Sequence, residues 1–189
     1  MPAPLAELLR PQTLEDYLGQ QHLVGKNAIL RRSIESGNIP SMILWGPPGV
    51  GKTTLANVIS NTLNKEFYTL SAVSSGVKDV RNVINQAAMF HGNVILFIDE
   101  IHRFSKSQQD SLLGAVEKGI ITLIGATTEN PSFEVISPLL SRCQVYILQS
   151  LEAVDLRNLL KNGIKLLKTK FDIEIEIKED EALLGISGG

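Results

Sequence analysis

The stretch Met42 to Thr54, MILWGPPGVGKTT, constrains this chain more than any other. A short apolar run, Met42 to Trp45, leads straight into Gly46-Pro47-Pro48-Gly49-Val50-Gly51-Lys52-Thr53. The pattern G-x-x-x-x-G-K-[ST] is that of a phosphate-binding loop set between a strand and a helix. Glycines reach backbone conformations barred to other residues, so successive N–H groups can turn inward around phosphate oxygens. Lys52 supplies positive charge at the β- and γ-phosphates, and the Thr53 hydroxyl suits a Mg²⁺ ligand. The next helix offers its positive end to the same anion. Leu55, Val58, Ile59 and Leu63 recur at helical spacing after the loop, so the strand–loop–helix context is present. The pattern implies a bound nucleoside triphosphate held by Gly46 through Thr54.

The alternation around this loop predicts an α/β domain of three layers. Further strands are expected at Phe67–Ser71, Asn93–Glu100, Ile120–Ala126 and Val145–Leu148, giving five in a mostly parallel sheet. NVILFIDE is apolar at nearly every position, the mark of a strand covered on both faces. Helices are expected at Asn27–Ser36, Val77–Phe90 and Ser105–Glu117. Ser105 with Gln108 forms a capping box for the last of these, and Gly119 stops it. Ser137-Pro138 starts a short helix ending near Arg142. The prolines of Met1 to Pro11 suggest an extended surface segment. Thr13 followed by Asp16 reads as a helix start, with Leu14, Tyr17 and Leu18 as one apolar face. After Ser150 the character changes. Glu152–Lys170 reads as one long helix with Val154, Leu159, Leu160, Ile164 and Leu167 inward, Asp172–Lys178 as a half-exposed connector, and Glu179–Ser187 as another helix. The expected division is 1–149 for the nucleotide-binding domain and 150–189 for the start of a helical lid, cut short.

Charge and cysteine content narrow the class. The net charge of −2 gives bulk electrostatics no role in nucleic-acid binding, so any such surface is a local patch. A single cysteine, Cys143, excludes a disulfide framework and fits a reducing cytosol. No apolar run approaches the roughly 20 residues that span a bilayer, and the N-terminus lacks a signal-peptide pattern. The three histidines, His22, His91 and His102, show no metal-ligand spacing.

Two carboxylates end the third strand. Ligands of open α/β sheets bind beyond the carboxyl ends of strands, which turns Asp99 and Glu100 toward the phosphate loop. Asp99 suits a hold on Mg²⁺ and its waters; Glu100 suits the general base for an attacking water. Such a base argues for hydrolysis rather than transfer. Thr128 at the end of the next strand can sense the γ-phosphate through its hydroxyl, with Thr127 the second choice. Arg142 alone reads as a surface arginine, yet its position after that strand suits a group pointing into a neighbour's site.

With these residues placed, the chain resembles the AAA+ ATPases of the clamp-loader clade. RPQTLEDYLGQ resembles the clade's N-terminal box, GPPGVGKT its Walker A, ILFIDE its Walker B, GATTEN its sensor 1, and Ser141-Arg142-Cys143 its arginine-finger motif. The resemblance implies that Arg142 acts in trans and that Tyr17 and Leu18 lie beside the adenine. LWGPPGVGKTTLA, FIDEIHRFSKSQQD and TLIGATTENPSF narrow the likeness to the replication-associated recombination protein A and Werner-helicase-interacting ATPase family, over roughly residues 4–189. That family implies a bacterial cytoplasmic, nucleoid-associated ATPase that uses ATP and Mg²⁺ and acts with DNA at stalled forks, ends and single-strand gaps. It also implies a tetramer and contact with single-strand-binding protein. Ser105 and Leu113-Gly114-Ala115 depart from the family pattern. The chain ends at Ile186-Ser187-Gly188-Gly189, where relatives continue with a sensor 2 arginine, the rest of the lid and an oligomerisation domain. A fragment, monomeric by itself, is therefore expected. Two other functions share these motifs: an ATP-gated recruitment scaffold, and a branch-migration or remodelling motor. The segment AVSSGVKD lacks the aromatic of a threading pore loop, which disfavours protein remodelling.

Overall fold

The computed structural model describes residues 4–72, 75–90 and 93–172. Within them the elements run α1 (Leu5–Leu8), α2 (Gln21–Val24), α3 (Ile29–Glu35), β1 (Met42–Trp45), α4 (Lys52–Leu63), β2 (Glu66–Ser71), α5 (Val77–Ala87), β3 (Val94–Asp99), α6 (Lys106–Glu117), β4 (Thr122–Thr127), α7 (Pro131–Glu134), α8 (Ser137–Leu140), β5 (Gln144–Ile147) and α9 (Ala153–Phe171). Single 3₁₀ turns follow α5 at Ala88–Phe90 and β3 at Ile101–Arg103. The sheet order is β2-β3-β4-β1-β5, and every pairing is parallel.

Alternation along the strands sorts the core into two layers, because successive side chains leave opposite faces of a sheet. Met42, Leu44, Ile95, Phe97, Ile124 and Ala126 join α3 and α4 on one face through Leu30, Ile34, Leu55, Val58 and Ile59. Ile43, Leu96, Ile98 and Leu123 face the other way, onto Val80, Val83 and Ala87 of α5 and Leu112 and Ala115 of α6. All of β3 from Val94 to Ile98 is without solvent contact, as its unbroken apolar run requires. At roughly 1.5–3 kcal/mol for each fully buried large aliphatic side chain, these two layers dominate the stability. Gln109 is a polar group buried beside the second layer. The amide of Gln109 donates to the carbonyls of Phe104 (3.1 Å) and Glu134 (3.0 Å) and accepts from Ile136 N–H (2.9 Å), pinning α6 to the segment before α8.

Several expectations need correction. Thr13–Leu18 is a turn, not a helix: Thr13 Oγ1 donates to Asp16 Oδ2 (2.8 Å) and accepts from Asp16 N–H (3.3 Å), but Gly19 and Gln20 then adopt positive φ. The capping chemistry is real, but the left-handed pair breaks the chain's path, and the next helix, α2, starts afresh at Gln21. Leu5–Leu8 forms a helical turn rather than an extended segment, and Pro131–Glu134 another inside the expected loop. The five-stranded sheet stands as expected, with every pairing among the described residues parallel. Val154, expected inward on α9, is 54% exposed, and only Gly163 of that helix is fully buried. The capping box of α6 stands as expected, with Ser105 and Gln108 bonded reciprocally. The expected helix at 179–187 and all but the first residue of 172–178 lie outside the described residues.

Candidate nucleotide site

Parallel strands bring the ends of β1, β3 and β4 to one edge, and the loop from Gly46 to Gly51 wraps that edge. Gly46 is required by packing: a Cβ there would lie 2.4 Å from the carbonyl oxygen of Leu148, backbone that cannot yield. Gly49 and Gly51 take φ of 80° and 95°, which turns the loop back over its own amides before α4 begins at Lys52. Burial pulls the Lys52 pKa down, and the charges of Glu100 and Asp99 oppose that pull. Its Nζ donates to the carbonyls of Gly46 (2.6 Å) and Pro47 (2.7 Å). An ammonium has three N–H donors, so one is left for a phosphate oxygen.

Lys52, Thr53, Thr54, Asp99 and Glu100 line one open pocket of about 310 Å³ with Pro48, Gly49 and Gly51. The Walker-type loop and the strand-end carboxylates are therefore brought together. Among the described residues no cluster of three or more His, Cys, Asp or Glu side chains could hold a metal by itself. Thr53 and Asp99 instead offer two hard oxygen donors beside the phosphate cradle, the sparse set that Mg²⁺ takes when phosphates and waters complete its shell.

A second pocket, of about 160 Å³, adjoins the loop and is lined by Tyr17, Leu18, Val50, Leu151 and Leu159 among others. Its wall is mostly apolar and suits a flat base. Tyr17 is 5% exposed, its hydroxyl donates to the Gly51 carbonyl (3.3 Å), and burial drives its pKa upward. Gln20 locks the same segment to the start of the helical region: its amide donates to Gln149 O (2.6 Å) and accepts from Gln149 N–H (2.9 Å). The N-terminal box thus forms a wall between loop and α9.

The structure separates the two threonines. Thr127 closes β4 with no solvent exposure, and its hydroxyl contacts Glu129 and His102. Thr128 follows, half-buried, and is not part of the phosphate pocket's lining. Arg142 also stands outside that lining. It lies on the surface after α8, its guanidinium donating to Pro138 O (2.7 Å) and paired with Glu117 (2.5 Å). Two residues escaped sequence reasoning. Arg10 lines the phosphate pocket while paired with Glu7 at 3.1 Å, and its only sequence signal was its place at the head of the N-terminal box. His102 contacts Glu100 at 3.2 Å; judged only for metal spacing, it had been given no part.

The chain is similar to known proteins. Residues 9–137 match the family model described as the Holliday junction DNA helicase RuvB P-loop domain. Replication-associated recombination protein A of Coxiella burnetii is 54% identical over 162 residues, which are 85% of this chain and 37% of that protein. The Escherichia coli K12 protein of that name is 52% identical, over 86% of this chain and 37% of its own length. ATPase WRNIP1 of Dictyostelium discoideum is 48% identical over 94% of this chain and 21% of its own length. Among solved structures, the Thermotoga maritima RuvB Holliday junction branch migration motor aligns with a TM-score of 0.72 at 32% identity, covering 95% of this chain and 59% of that one. The chain spans about a third of the length of the bacterial relatives it matches.

Proposed function

This chain belongs to the AAA+ ATPases with a RuvB-type P-loop domain, and we propose that it is the ATP-hydrolysing core of a DNA-dependent motor that maintains replication forks and supports recombination and repair. The observation that carries this reading is the shared pocket in which Lys52 and Thr53 face Asp99 and Glu100. Lys52 and the amides of 46–54 hold the triphosphate; Tyr17 and Leu18 cover the adenine. Thr53 and Asp99 would hold Mg²⁺, which would supply charge neutralisation at the phosphates. Glu100 accepts the proton of the attacking water as its oxygen bonds to the γ-phosphorus and the bond to the β,γ-bridging oxygen breaks, so that ADP leaves with that electron pair. Thr128 approaches the γ-phosphate once nucleotide draws the end of β4 inward. Arg142 completes the site of a neighbouring subunit. The nucleotide-binding domain is 1–149, with a lid beginning at 150.

Relatives named for replication and recombination support the setting we propose. It is a cytoplasmic assembly, a tetramer when the whole protein is present, acting at single-strand gaps, ends or forks beside single-strand-binding protein. A second reading, a branch-migration motor, is favoured by the likeness to the structure bearing that title. The experiment replaces Glu100 by Gln in the intact protein. ATP affinity should stay within about twofold while turnover falls by about 10²–10⁴-fold, the range of general acid–base contributions. Unchanged turnover would place the base elsewhere, with Asp99 first in line. Parental ATPase rates on single-stranded, duplex and forked DNA then identify the substrate. Equal rates with and without each DNA would remove DNA dependence.

A further inference from the structure

Glu100 sits at φ 54° and ψ 47°, a left-handed conformation uncommon for a residue with a Cβ. It caps the 3₁₀ turn Ile101–Arg103, in which Arg103 N–H returns to the Glu100 carbonyl at 2.8 Å. Ile101 is fully buried, and its side chain fills the space over Gly125 of β4, where a Cβ would lie 2.9 Å from Ile101 Cδ1. This anchor places His102 between two elements. Its Nε2 lies 3.2 Å from Glu100 Oε2, and its Nδ1 lies 3.0 Å from Thr127 Oγ1. The imidazole side chain is only 13% exposed and Thr127 is fully buried.

The donor inventory gives this chain a direction. An ionised carboxylate only accepts, so His102 Nε2 must carry the proton that faces Glu100. A neutral imidazole then presents a bare Nδ1, which needs a donor. Thr127 Oγ1 accepts the Glu129 N–H at 3.0 Å, and its one proton has two acceptors in reach, the Glu129 carbonyl at 3.2 Å and His102 Nδ1 at 3.0 Å; a bare Nδ1 draws it to the shorter contact. The order is Glu129 N–H to Thr127, Thr127 to His102, His102 to Glu100.

We propose that His102 is a positioning residue that fixes one oxygen of the Glu100 carboxylate and ties its orientation to the end of β4, so that the base is aligned by the strand that carries Thr128. The proposal rests on the reading of Glu100 as the base. With Oε2 held by His102, Oε1 is left to meet the attacking water. Movement of Thr128 toward a γ-phosphate pulls on Thr127, and His102 passes that movement to the base. Nucleotide sensing and water activation are then one connected motion.

The test compares His102→Leu, His102→Gln, Thr127→Val and Thr127→Ser in the intact protein, with Glu100→Gln beside them. His102→Leu removes both hydrogen bonds, and kcat should fall about tenfold to a hundredfold, the scale of a small misplacement of a reacting group, with ATP affinity within about twofold. His102→Gln keeps a donor for Glu100 and should retain most of the rate. Thr127→Val should lower kcat and Thr127→Ser should preserve it. The double variant that combines His102→Leu with Thr127→Val should be no slower than His102→Leu alone. Nitrogen-15 NMR of the nucleotide-free protein gives a readout apart from activity. The resonances lost in His102→Leu should report the Nε2-protonated tautomer in the parent and lose that preference in Thr127→Val. Parental kcat in His102→Leu together with a stalled Glu100→Gln would overturn the proposal alone, as would an Nδ1-protonated tautomer. Parental turnover in Glu100→Gln would overturn the base assignment and the proposal with it.

Discussion

The edge formed by β1, β3 and β4 and the corner after α8 hold the molecule's two kinds of charge in opposite ways. At the strand edge each group is tied inward: Lys52 to loop carbonyls, Glu100 to His102, His102 to Thr127. At the corner, Arg142 lies outside the fold, its side chain 40% exposed and paired with the equally exposed Glu117. The first arrangement is held by contacts within the chain. The second holds a permanently charged, planar donor at a surface, where a surface ion pair contributes about 0–1 kcal/mol and is readily exchanged for a better partner. On the proposed function, one chain supplies two different sites.

Breaking the corner should have the largest effect on rate. Arg142→Ala is expected to leave nucleotide binding normal and to lower hydrolysis in the assembled protein by about 10³-fold, the lower end for arginine fingers in well-studied GTPases. Mixing Arg142→Ala with Glu100→Gln subunits sharpens the contrast. Some interfaces then pair an intact Glu100 with a neighbour's intact Arg142, and activity should return. Verified mixed assemblies that stay inactive would assign Arg142 to its own site.

Breaking the edge acts on affinity instead. Lys52→Ala removes the cation from a pocket it shares with Asp99 and Glu100, leaving two carboxylates facing the phosphates. A charge-assisted hydrogen bond contributes about 1.5–3 kcal/mol, so affinity should fall by roughly ten- to a hundredfold. Calorimetry reads it directly, and an unchanged dissociation constant would remove Lys52 from the phosphate site.

The same contrast explains what could be read in the sequence. Residues that act through local backbone were legible: the glycines of 46–51, the unbroken apolar run of β3, the capping box of Ser105 and Gln108. Both strand-end carboxylates were legible because a parallel sheet sends all such ends to one edge. What stayed hidden depends on side chains meeting across the fold. His102 draws its part from Thr127, 25 positions away, and nothing in the spacing of either announces it. Arg10 reaches the phosphate pocket only because the N-terminal segment folds back over the loop. The Thr13–Asp16 turn was misread as a helix because a cap and a turn begin with the same hydrogen bonds. Only the backbone at Gly19 and Gln20 separates them. Val154 was misplaced because helical spacing gives a face but not the partner that covers it.

The smallest effect on function is expected at Cys143, beside Arg142. Its thiol packs against the layer formed with α6 and α8, and burial pushes its pKa up from 9.0 to about 12. The corner that displays Arg142 thus rests on a firm floor. Three pH units of difference leave about a thousandth of the thiolate an unfolded chain would have, and the thiolate is the reactive form. Native protein at pH 8 should therefore react with a thiol reagent on the order of a thousandfold more slowly than protein in urea. The sign for stability follows. Below pH 9 both states hold the proton and this group adds no pH dependence. Between pH 9 and 12 the unfolded chain releases it first, so stability falls as pH rises, by up to about 1.4 kcal/mol per unit. Cys143→Ala should abolish that part of the slope in urea titrations at pH 8 and 10 and leave ATP turnover at the parental rate. Rapid labelling of the native thiol, or a loss of turnover in Cys143→Ala matching that of Arg142→Ala, would mean that the corner is not the rigid platform the contrast requires.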